Sequence, residues 1–559
     1  MPTTNSLFFA IITLILSPVL ALNDWSQPCF DGICTYYASP DANTMAGAVT
    51  ITGHPFAISD ITPAAGWEIV GCNPDALAQD IRIVCQSTNT ADAGCDHLFQ
   101  NGAENTIVRL PENCGKNAFA RVAKASVSAD QSIPQSIARR LHRRATDTSA
   151  PQVHAITIDT DFGAIGDAQP GNVTVHIYGS SVPSATGDSS TNPTGRRDVI
   201  GVVGSSLQNI KRDAASNGVA EWDLWNKTTS TTIPVINIDS SYNLFNASVD
   251  CGDEKASIDV NAHTKVFANV TLGIFASGLL VPPIITNLSA FAGVTSSLDA
   301  TLTLDASATG HINTGIITLY TAAIPALNFP GILTVGPAFK VNAKAIVDVD
   351  IALSLDVNLN YNVDKLQMIF PPNGNSSVAT LSPEDSPLKL SVDTNVISNG
   401  HVEAHLIPTL DLGITALSGM ASATVYLDVD AMASMDLALN ASASAVAQAP
   451  GVPNTALANG TSSTQGEVNG CVDLEGGVSV NAGAQASFFS LWSAGVNYPI
   501  YAHQWTLYKN CFAAANSTST KRSRLSYPSK RAALNCSALS TNLTTLVDTI
   551  LPSSSFTSL

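Results

Sequence analysis

Charged side chains are scarce in this 559-residue chain, since Asp, Glu, Lys and Arg together make up 13% of it. Basic residues are the scarcer kind, with 26 Lys and Arg against 44 Asp and Glu and a formal net charge of -18. Nucleic acids and anionic lipid surfaces attract clustered Lys and Arg, so this balance argues against both as partners. A hydrophobic share of 45% excludes a disordered polymer. We expect a globular protein of about two to four domains.

Long hydrophobic runs are also lacking. The apolar run at 6–19 is shorter than the roughly 18 to 20 residues of a membrane-spanning helix, and Pro18 interrupts it. Val19-Leu20-Ala21 follows and places small or medium-sized residues at the -3 and -1 positions of a signal-peptidase site. We therefore predict a signal peptide at 1–21, cleavage after Ala21 and export from the cell. Segment 270–285 contains Pro282-Pro283, so we expect no membrane span.

The close Cys-x-x-Cys pairs of zinc sites do not occur among the ten cysteines. All ten follow the predicted cleavage point, and they fall into two groups of even number. An oxidising compartment and closed sets of disulfides would produce this distribution, although the spacing does not reveal the pairing. The first group is Cys29, Cys34, Cys72, Cys85, Cys95 and Cys114, and the second is Cys251, Cys471, Cys511 and Cys536.

Asn-x-Ser/Thr sequons are dense, as expected of a glycoprotein if the host glycosylates its exported proteins. They lie at Asn172, Asn226, Asn246, Asn269, Asn287, Asn375, Asn440, Asn459, Asn516, Asn535 and Asn542.

Dibasic pairs are conspicuous because basic residues are otherwise few. Arg139-Arg140 and Arg143-Arg144 lie in a short amphipathic pattern at 132–144, which runs into a polar linker composition at 145–151. Two interpretations stay open, namely endoprotease cleavage after Arg144 and an uncleaved, solvated linker. The predicted organisation is a signal peptide at 1–21, a cystine-rich module at 22–130, a dibasic linker at 131–150, a β-strand region at 151–250, a long-strand antiparallel β domain at 251–510 and a Ser/Thr-rich tail at 511–559.

Strict alternation of apolar and polar residues is the strongest pattern in the chain. It runs through 258–274, 341–363 and 421–445, and shorter stretches occur at 298–308, 402–416 and 478–488. A helix cannot produce a period of two, so these segments predict half-buried strands, including one strand over the whole of 341–363. The fold class we predict is mainly β, with long antiparallel strands in a sandwich or rolled sheet behind a small disulfide-rich module.

Such strands would present an apolar face far larger than a monomer leaves exposed to water. A second layer of the same protein could cover it, and the many Ala, Val and Leu residues favour this interpretation. The alternative is a groove for a lipid or another apolar ligand.

The segment at 324–337 contains Ile324-Pro325, then Pro330-Gly331 and Gly336-Pro337, ahead of the longest alternating run. It resembles a functionally uncharacterised family of secreted, basidiomycete-type fungal proteins with an Ile-Pro-Gly, Gly-Pro segment before long strands. Trp25-Ser26-Gln27-Pro28-Cys29 and 61–68 are similar to such proteins too. The resemblance implies secretion and β-rich architecture. The Pro and Gly residues themselves predict a rigid corner between two strands.

Familiar catalytic motifs are missing. There is no Gly-x-Ser-x-Gly elbow, and Asp159-Thr160-Asp161 and Asp239-Ser240-Ser241 lack the glycine of an aspartic-protease loop. No phosphate or dinucleotide loop occurs either.

A few polar residues are weak metal candidates. His401, Glu403 and His405 share one face of a strand, but their backbone spacing of about 7 Å between alternate residues is too wide for one ion. Two further pairs, Asp348 with Asp350 and Asp428 with Asp430, could hold Ca²⁺ if their strands paired in register. We otherwise expect no cofactor.

These patterns favour a secreted, non-enzymatic glycoprotein that contacts a cell-wall or extracellular-matrix component. An extracellular carrier of lipid or another apolar small molecule is the first alternative. A secreted hydrolase with an unrecognised site is the second.

Overall fold

The computed structural model describes residues 23, 27–38, 43–141, 151–165, 171–181, 233–250, 255–350, 352–371, 377–392, 398–441, 468–489, 491–512, 533–536 and 543–551. Within these residues the chain is mainly β, as predicted. The strands are β1 Ile33–Ala38, β2 Ala46–Thr52, β3 Ile58–Asp60, β4 Trp67–Val70, β5 Gln79–Cys85, β6 Ile107–Arg109, β7 Phe119–Val127, β8 Val153–Asp159, β9 Val173–Ser180, β10 Ile236–Asp250, β11 Lys255–Val281, β12 Ile284–Ala306, β13 Ala308–Asn313, β14 Ile317–Ala323, β15 Leu327–Phe329, β16 Leu333–Val349, β17 Leu353–Phe370, β18 Val378–Pro383, β19 Ser386–Val392, β20 Ser398–Ala416, β21 Ala421–Ala441, β22 Val468–Ala484, β23 Val496–Phe512, β24 Ala533–Cys536 and β25 Thr544–Leu551.

Helices are few and short among the described residues. The α-helices are α1 Thr90–Ala93 and α2 Gln135–Leu141, and the 3-10 turns are Pro55–Ala57, Pro63–Ala65, Cys95–Phe99, Phe162–Ala164 and Leu417–Gly419.

The described strands form three sheets. Sheet 1 has ten strands in the order β1-β2-β9-β11-β12-β17-β19-β25, with β10 beside β11 and β18 beside β17. Sheet 2 has nine strands in the order β23-β22-β21-β20-β16-β13-β24, with β14 and β15 beside β16. Sheet 3 has six strands in the order β3-β6-β7-β8-β5-β4. Every strand pair is antiparallel except β3 with β6.

Sheets 1 and 2 pack face to face around one apolar core. Along β11, residues such as Ile258 and Val260 are fully buried, and Val341 and Val347 of β16 are equally buried in the facing sheet. β11 is 27 residues long, about 90 Å at roughly 3.3 Å per residue. The apolar faces predicted from the alternation therefore cover each other, and the molecule is a β-sandwich.

The prediction of a single strand over 341–363 is wrong. β16 ends at Val349 in sheet 2, and β17 begins at Leu353 in sheet 1. The chain crosses from one sheet to the other beside Asp350. Because both sheets face the same core, odd-numbered residues point inward on both sides of the crossing, and the alternation continues through it.

The Pro- and Gly-containing segment forms only part of the predicted corner. β15 and β16 make a tight hairpin, in which Gly331 has the left-handed φ of 78° that glycine tolerates best. Gly336 and Pro337 lie inside β16 instead, where Pro337 is opposite Leu412 of β20. The carbonyl of Pro337 accepts a hydrogen bond from the Ile324 N–H at 3.1 Å, so the residue still joins the ladder.

The first group of cysteines pairs within itself, as the even number predicted. The bonds are Cys29–Cys34, Cys72–Cys114 and Cys85–Cys95, and Cys471–Cys511 joins β22 to β23 in sheet 2.

The sheets divide the chain differently from the predicted module at 22–130. β1 and β2 belong to sheet 1, whereas β8 follows the linker in sequence and lies between β7 and β5 of sheet 3. The amphipathic pattern of the linker corresponds to α2, which packs Ile137 and Leu141 against Val153.

Some predictions lie outside the described residues. They concern the signal segment with Ala21, the cleavage position Arg144, Cys251, and the sequons at Asn226, Asn375, Asn459, Asn516 and Asn542. Cys536 is the last residue of β24. None of the described helices is long and apolar enough to cross a membrane.

Candidate functional site

A polar cluster centred on β20 occupies the outer face of sheet 2. Val402 and Ala404 point into the core, and His401, Glu403 and His405 point outward together, as the alternation predicted. Their side-chain heads come much closer than the backbone spacing suggested. The Glu403 carboxylate accepts a hydrogen bond from His405 Nε2 at 2.5 Å and lies 3.7 Å from His401 Nε2. One carboxylate therefore bridges two imidazoles.

Strand β21 supplies each histidine with a second carboxylate. His401 Nδ1 lies 2.8 Å from Asp436 Oδ1, and His405 Nδ1 lies 2.8 Å from Asp430 Oδ1. This follows from the register, since Asp436 is directly opposite His401. Both ring nitrogens of each histidine thus face an acceptor.

The cluster continues across the sheet as a row of acidic and basic side chains. On β16, Asp348 is opposite His401, and it lies 3.7 Å from His311 of β13. On the other side Asp436 is opposite Asp473, whose carboxylate binds Lys509 Nζ at 2.9 Å. Cross-strand pairs of opposite charge, such as His401 with Asp436, stabilise a sheet, whereas the facing carboxylates of Asp436 and Asp473 repel each other and Lys509 offsets that repulsion.

These contacts change the protonation of the cluster. Hydrogen bonds with Asp436 and Glu403 raise the pKa of His401 to about 9. Burial alone would lower the pKa of His405, but its hydrogen bonds with Asp430 and Glu403 raise that pKa to about 9. The two histidines in turn hold the pKa of Glu403 well below its usual range. At neutral pH both imidazoles are therefore protonated, and a protonated imidazole cannot act as a general base.

The carboxylate pairs considered for Ca²⁺ are not opposite each other. Asp348 lies in β16, and Asp350 directly follows the end of that strand. Asp428 and Asp430 lie in β21, and β20 separates β21 from β16 in the sheet. The in-register pairing on which that hypothesis depended is therefore absent from the sheet. No group of three or more His, Cys, Asp or Glu that could hold a metal ion occurs in the part of the chain that the structure describes.

Asp428 has an unusual environment all the same. Burial raises its pKa to about 6, and the nearby charges of Asp411 and Asp430 act in the same direction. A hydrogen bond with Thr409 opposes the increase. Asp428 therefore takes up a proton as the pH falls through about 6.

A cavity of about 30 Å³ lies between the inner faces of sheets 1 and 2. It coincides with irregular pairing in both sheets. The β12–β17 register shifts between Val294 and Ser296, and β20 does not pair with β21 at Ile407 and Pro408, because proline has no N–H to donate. Apolar side chains such as Val266 and Phe339 supply most of its lining.

Tyr361 of β17 is the buried polar side chain at this cavity. Its ring is 5% exposed, and its hydroxyl has no hydrogen-bond partner. Burial, with a smaller contribution from the charge of Asp430, raises the pKa of Tyr361, so the phenol stays protonated. A volume of 30 Å³ accommodates about one or two water molecules, whereas sites for drug-sized ligands measure about 300 to 1,000 Å³.

The outer face of sheet 1 carries a serine, a histidine and an aspartate in contact. Ser241 Oγ lies 2.9 Å from His263 Nδ1, and His263 Nε2 lies 3.4 Å from Asp239 Oδ1. These residue types form catalytic triads when a cleft and oxyanion donors accompany them. Here the histidine and aspartate side chains are 40% and 61% exposed on a sheet face, and Ser241 lies opposite His263 within the β10–β11 pairing. The arrangement fits a polar surface better than a hydrolytic site.

Other candidates from the sequence have structural partners. Asp159 of β8 pairs with Arg121 at 2.5 Å, while Asp239 belongs to sheet 1, so the two Asp-Thr/Ser segments do not form one site. Ser59 lies 3.0 Å from His97 Nδ1 but is only 1% exposed.

Reasoning from the sequence placed His401, Glu403 and His405 on one face but missed their partners. Asp436 and Asp430 come from β21, and only the strand order brings them to β20. Tyr361 had a signal in the sequence, since it is the one hydroxyl-bearing residue in an inward run of aliphatic residues.

Comparison of the chain with protein-family models, curated proteins and solved structures finds no match.

Proposed function

We propose that this protein is a secreted glycoprotein with a non-enzymatic role as a structural or surface-interaction component of a cell wall or extracellular matrix. The observation that carries the proposal is the closed interior of the sandwich. The apolar faces of sheets 1 and 2 cover each other, and the cavity described between them has a volume of about 30 Å³. Such a body offers surface and rigidity rather than a binding chamber.

The polar clusters support the same proposal. The histidines of β20 are held as cations between carboxylates, and the Ser241 cluster lies open on a sheet face. Neither combines a free base, a nucleophile and a concave pocket, which a hydrolase needs. The described disulfides suit an oxidising extracellular compartment. The resemblance to secreted fungal proteins agrees with export but rests on the sequence alone.

Binding to insoluble polysaccharide tests this role. Purified, secreted protein is mixed with washed β-glucan or chitin particles, the particles are sedimented, and the protein left in the supernatant is measured. We expect depletion from the supernatant that saturates with added protein, and recovery of the native protein in the wall fraction of the producing cells. Protein that stays in the supernatant with every polysaccharide, and is absent from the wall fraction, would contradict the proposal.

A carrier of apolar molecules is the second candidate, since Tyr361 offers one polar contact inside an apolar cavity. Native mass spectrometry before and after organic extraction separates the two roles. A scaffold gives the mass of the polypeptide with its glycans both times. A carrier loses a stoichiometric lipid or other apolar ligand on extraction.

A further inference from the structure

The sequons that the structure describes are distributed unequally over the sandwich. Asn172 immediately precedes β9, Asn246 lies in β10, Asn269 in β11 and Asn287 in β12, all in sheet 1. Sheet 2 contains two, and both are marginal. Asn440 is the penultimate residue of β21, and Asn535 belongs to β24, the last strand in the order of that sheet.

The four asparagines of sheet 1 lie on its outer face. Asn172, Asn246 and Asn287 are exposed, and Asn269 is half-buried. Alternation explains this, since the neighbours Val173, Ala247, Val270 and Leu288 lie on the opposite side of their strands. The first and third residues of a sequon share a face in a strand, so each acceptor Asn has its Ser or Thr beside it on the outer surface.

The four sites are also spread along the length of β11. Asn246 is opposite Asp259, Asn287 is opposite Ser277, and Val173, the residue after Asn172, is opposite Val281. Asn269 lies between these points, so successive sites are separated by roughly 15 to 35 Å along the strand direction at about 3.3 Å per residue. Glycans at these positions would cover one face from end to end.

Asn269 has a particular position in the sheet. β10 pairs with β11 as far as Ala268, and β9 pairs with it from Gly273 onward, so among the described strands none lies beside Asn269 on that edge. Its Oδ1 is buried and has no hydrogen-bond partner.

We propose that Asn172, Asn246, Asn269 and Asn287 carry N-linked glycans, so that the outer face of sheet 1 is the glycan-bearing face of the sandwich. Among the sequons that the structure describes, those of sheet 2 lie only at its margins. This inference rests on the proposed secretion of the protein. A hydrated carbohydrate layer along one long polar face also protects that face from stacking against other sheets.

Site mapping on the full chain secreted from a glycosylating host tests the proposal. Glycopeptidase treatment in H₂¹⁸O converts each glycosylated Asn into ¹⁸O-labelled Asp, and peptide mass spectrometry locates the label. We expect label at all four positions and none at Asn261 or Asn358, which are asparagines of the same sheet outside sequons. Replacing the four by Gln should shift the intact mass by four glycans.

A matched variant controls for the accessibility of sheet 2. Gly413→Asn creates Asn-Ile-Thr on the exposed outer face of β20, and a Cβ there meets its nearest atom, the Gly336 carbonyl oxygen, at an ordinary 3.5 Å. We expect this variant to gain one glycan, which would show that the outer face of β20 accepts a glycan once it carries an acceptor.

The outcomes are distinguishable. Protein in the medium with any of the four positions unlabelled overturns the one-sided assignment and leaves secretion standing. Protein retained inside the cell contradicts the proposed function itself, and the glycan assignment with it.

Discussion

Sheet 3 and the sandwich of sheets 1 and 2 hold their strands together by different means. The strands of sheet 3 are between 3 and 9 residues long, and the disulfides Cys72–Cys114 and Cys85–Cys95 reinforce its small core. Strands in the sandwich reach 27 residues, and Cys471–Cys511 lies near the end of the β22–β23 pairing. A small core needs covalent support, whereas long ladders with a shared apolar face do not.

The two regions also differ in where their ion pairs lie. Sheet 3 buries a charged pair, in which Asp60 and Arg109 approach to 2.5 Å with little or no exposure. The sandwich keeps its ion pairs on the outer face, around His401 and His405. Its interior therefore depends mainly on apolar contact, and polar substitutions there should be among the most damaging in the molecule.

The largest expected effect comes from placing a polar group inside the sandwich. Val347→Asn puts an amide without partners at a fully buried position of β16, which should cost about 4 kcal/mol or more of unfolding free energy. Ile346→Asn, one residue away but facing outward, should cost about 1 kcal/mol or less. Chemical denaturation and the yield of folded protein measure both. Equal losses would contradict the assignment of inner and outer faces.

Removing one disulfide from each region gives the next largest effect. Cys72–Cys114 and Cys471–Cys511 close loops of nearly equal length, with sequence separations of 42 and 40. Chain entropy alone predicts a similar loss for each, about 4 kcal/mol. We expect Cys72→Ala with Cys114→Ala to open sheet 3 to protease, and Cys471→Ala with Cys511→Ala to leave sheet 2 resistant, because the β22–β23 ladder persists. If limited proteolysis cleaves both variants at the same rate, the two sheets do not differ in their dependence on disulfides.

Histidines in the two regions should respond oppositely to pH. His401 and His405 have pKa values raised to about 9, so their stabilisation is complete below about 6.5 and is lost as the pH rises through 9. Burial lowers the pKa of His97 and His154 near sheet 3, so their contribution is complete above about 6.5 and weakens as the pH falls below it.

Thermal unfolding between pH 5 and 10 measures this difference. His401→Gln with His405→Gln should flatten the decline between pH 7 and 9.5, while His97→Gln should leave that alkaline decline unchanged. An alkaline decline that survives the double substitution would show that other groups cause it.

The smallest effect on stability is expected from removing the Tyr361 hydroxyl at the cavity. Tyr361→Phe removes a buried hydroxyl that has no hydrogen-bond partner, so stability should stay within about 1 kcal/mol of the natural protein or rise slightly. Leu298→Ala at the same cavity should cost about 2 to 5 kcal/mol. A large loss in Tyr361→Phe would mean that the hydroxyl binds something in solution.

The sequence predicted the long strands and their inward faces because a period of two depends on local backbone geometry alone. It did not predict the crossing near Asp350, because odd-numbered residues point into the core in both β16 and β17 and the alternation therefore shows no break. The disulfide pairs and the contacts of Asp430 with His405 depend on strand order, which requires knowledge of long-range pairing. The function of the polar clusters depends on this order as well.

The central claim is that the apolar residues of the alternating strands are sealed between sheets 1 and 2. Cysteine substitutions at three consecutive positions of β11, Val266, Phe267 and Ala268, test it through the rate of maleimide labelling of the native protein. Phe267 is 53% exposed, and its neighbours are at most 2% exposed. We predict labelling of Phe267→Cys at least about tenfold faster than that of Val266→Cys and Ala268→Cys. Similar rates at all three positions would contradict the closed sandwich.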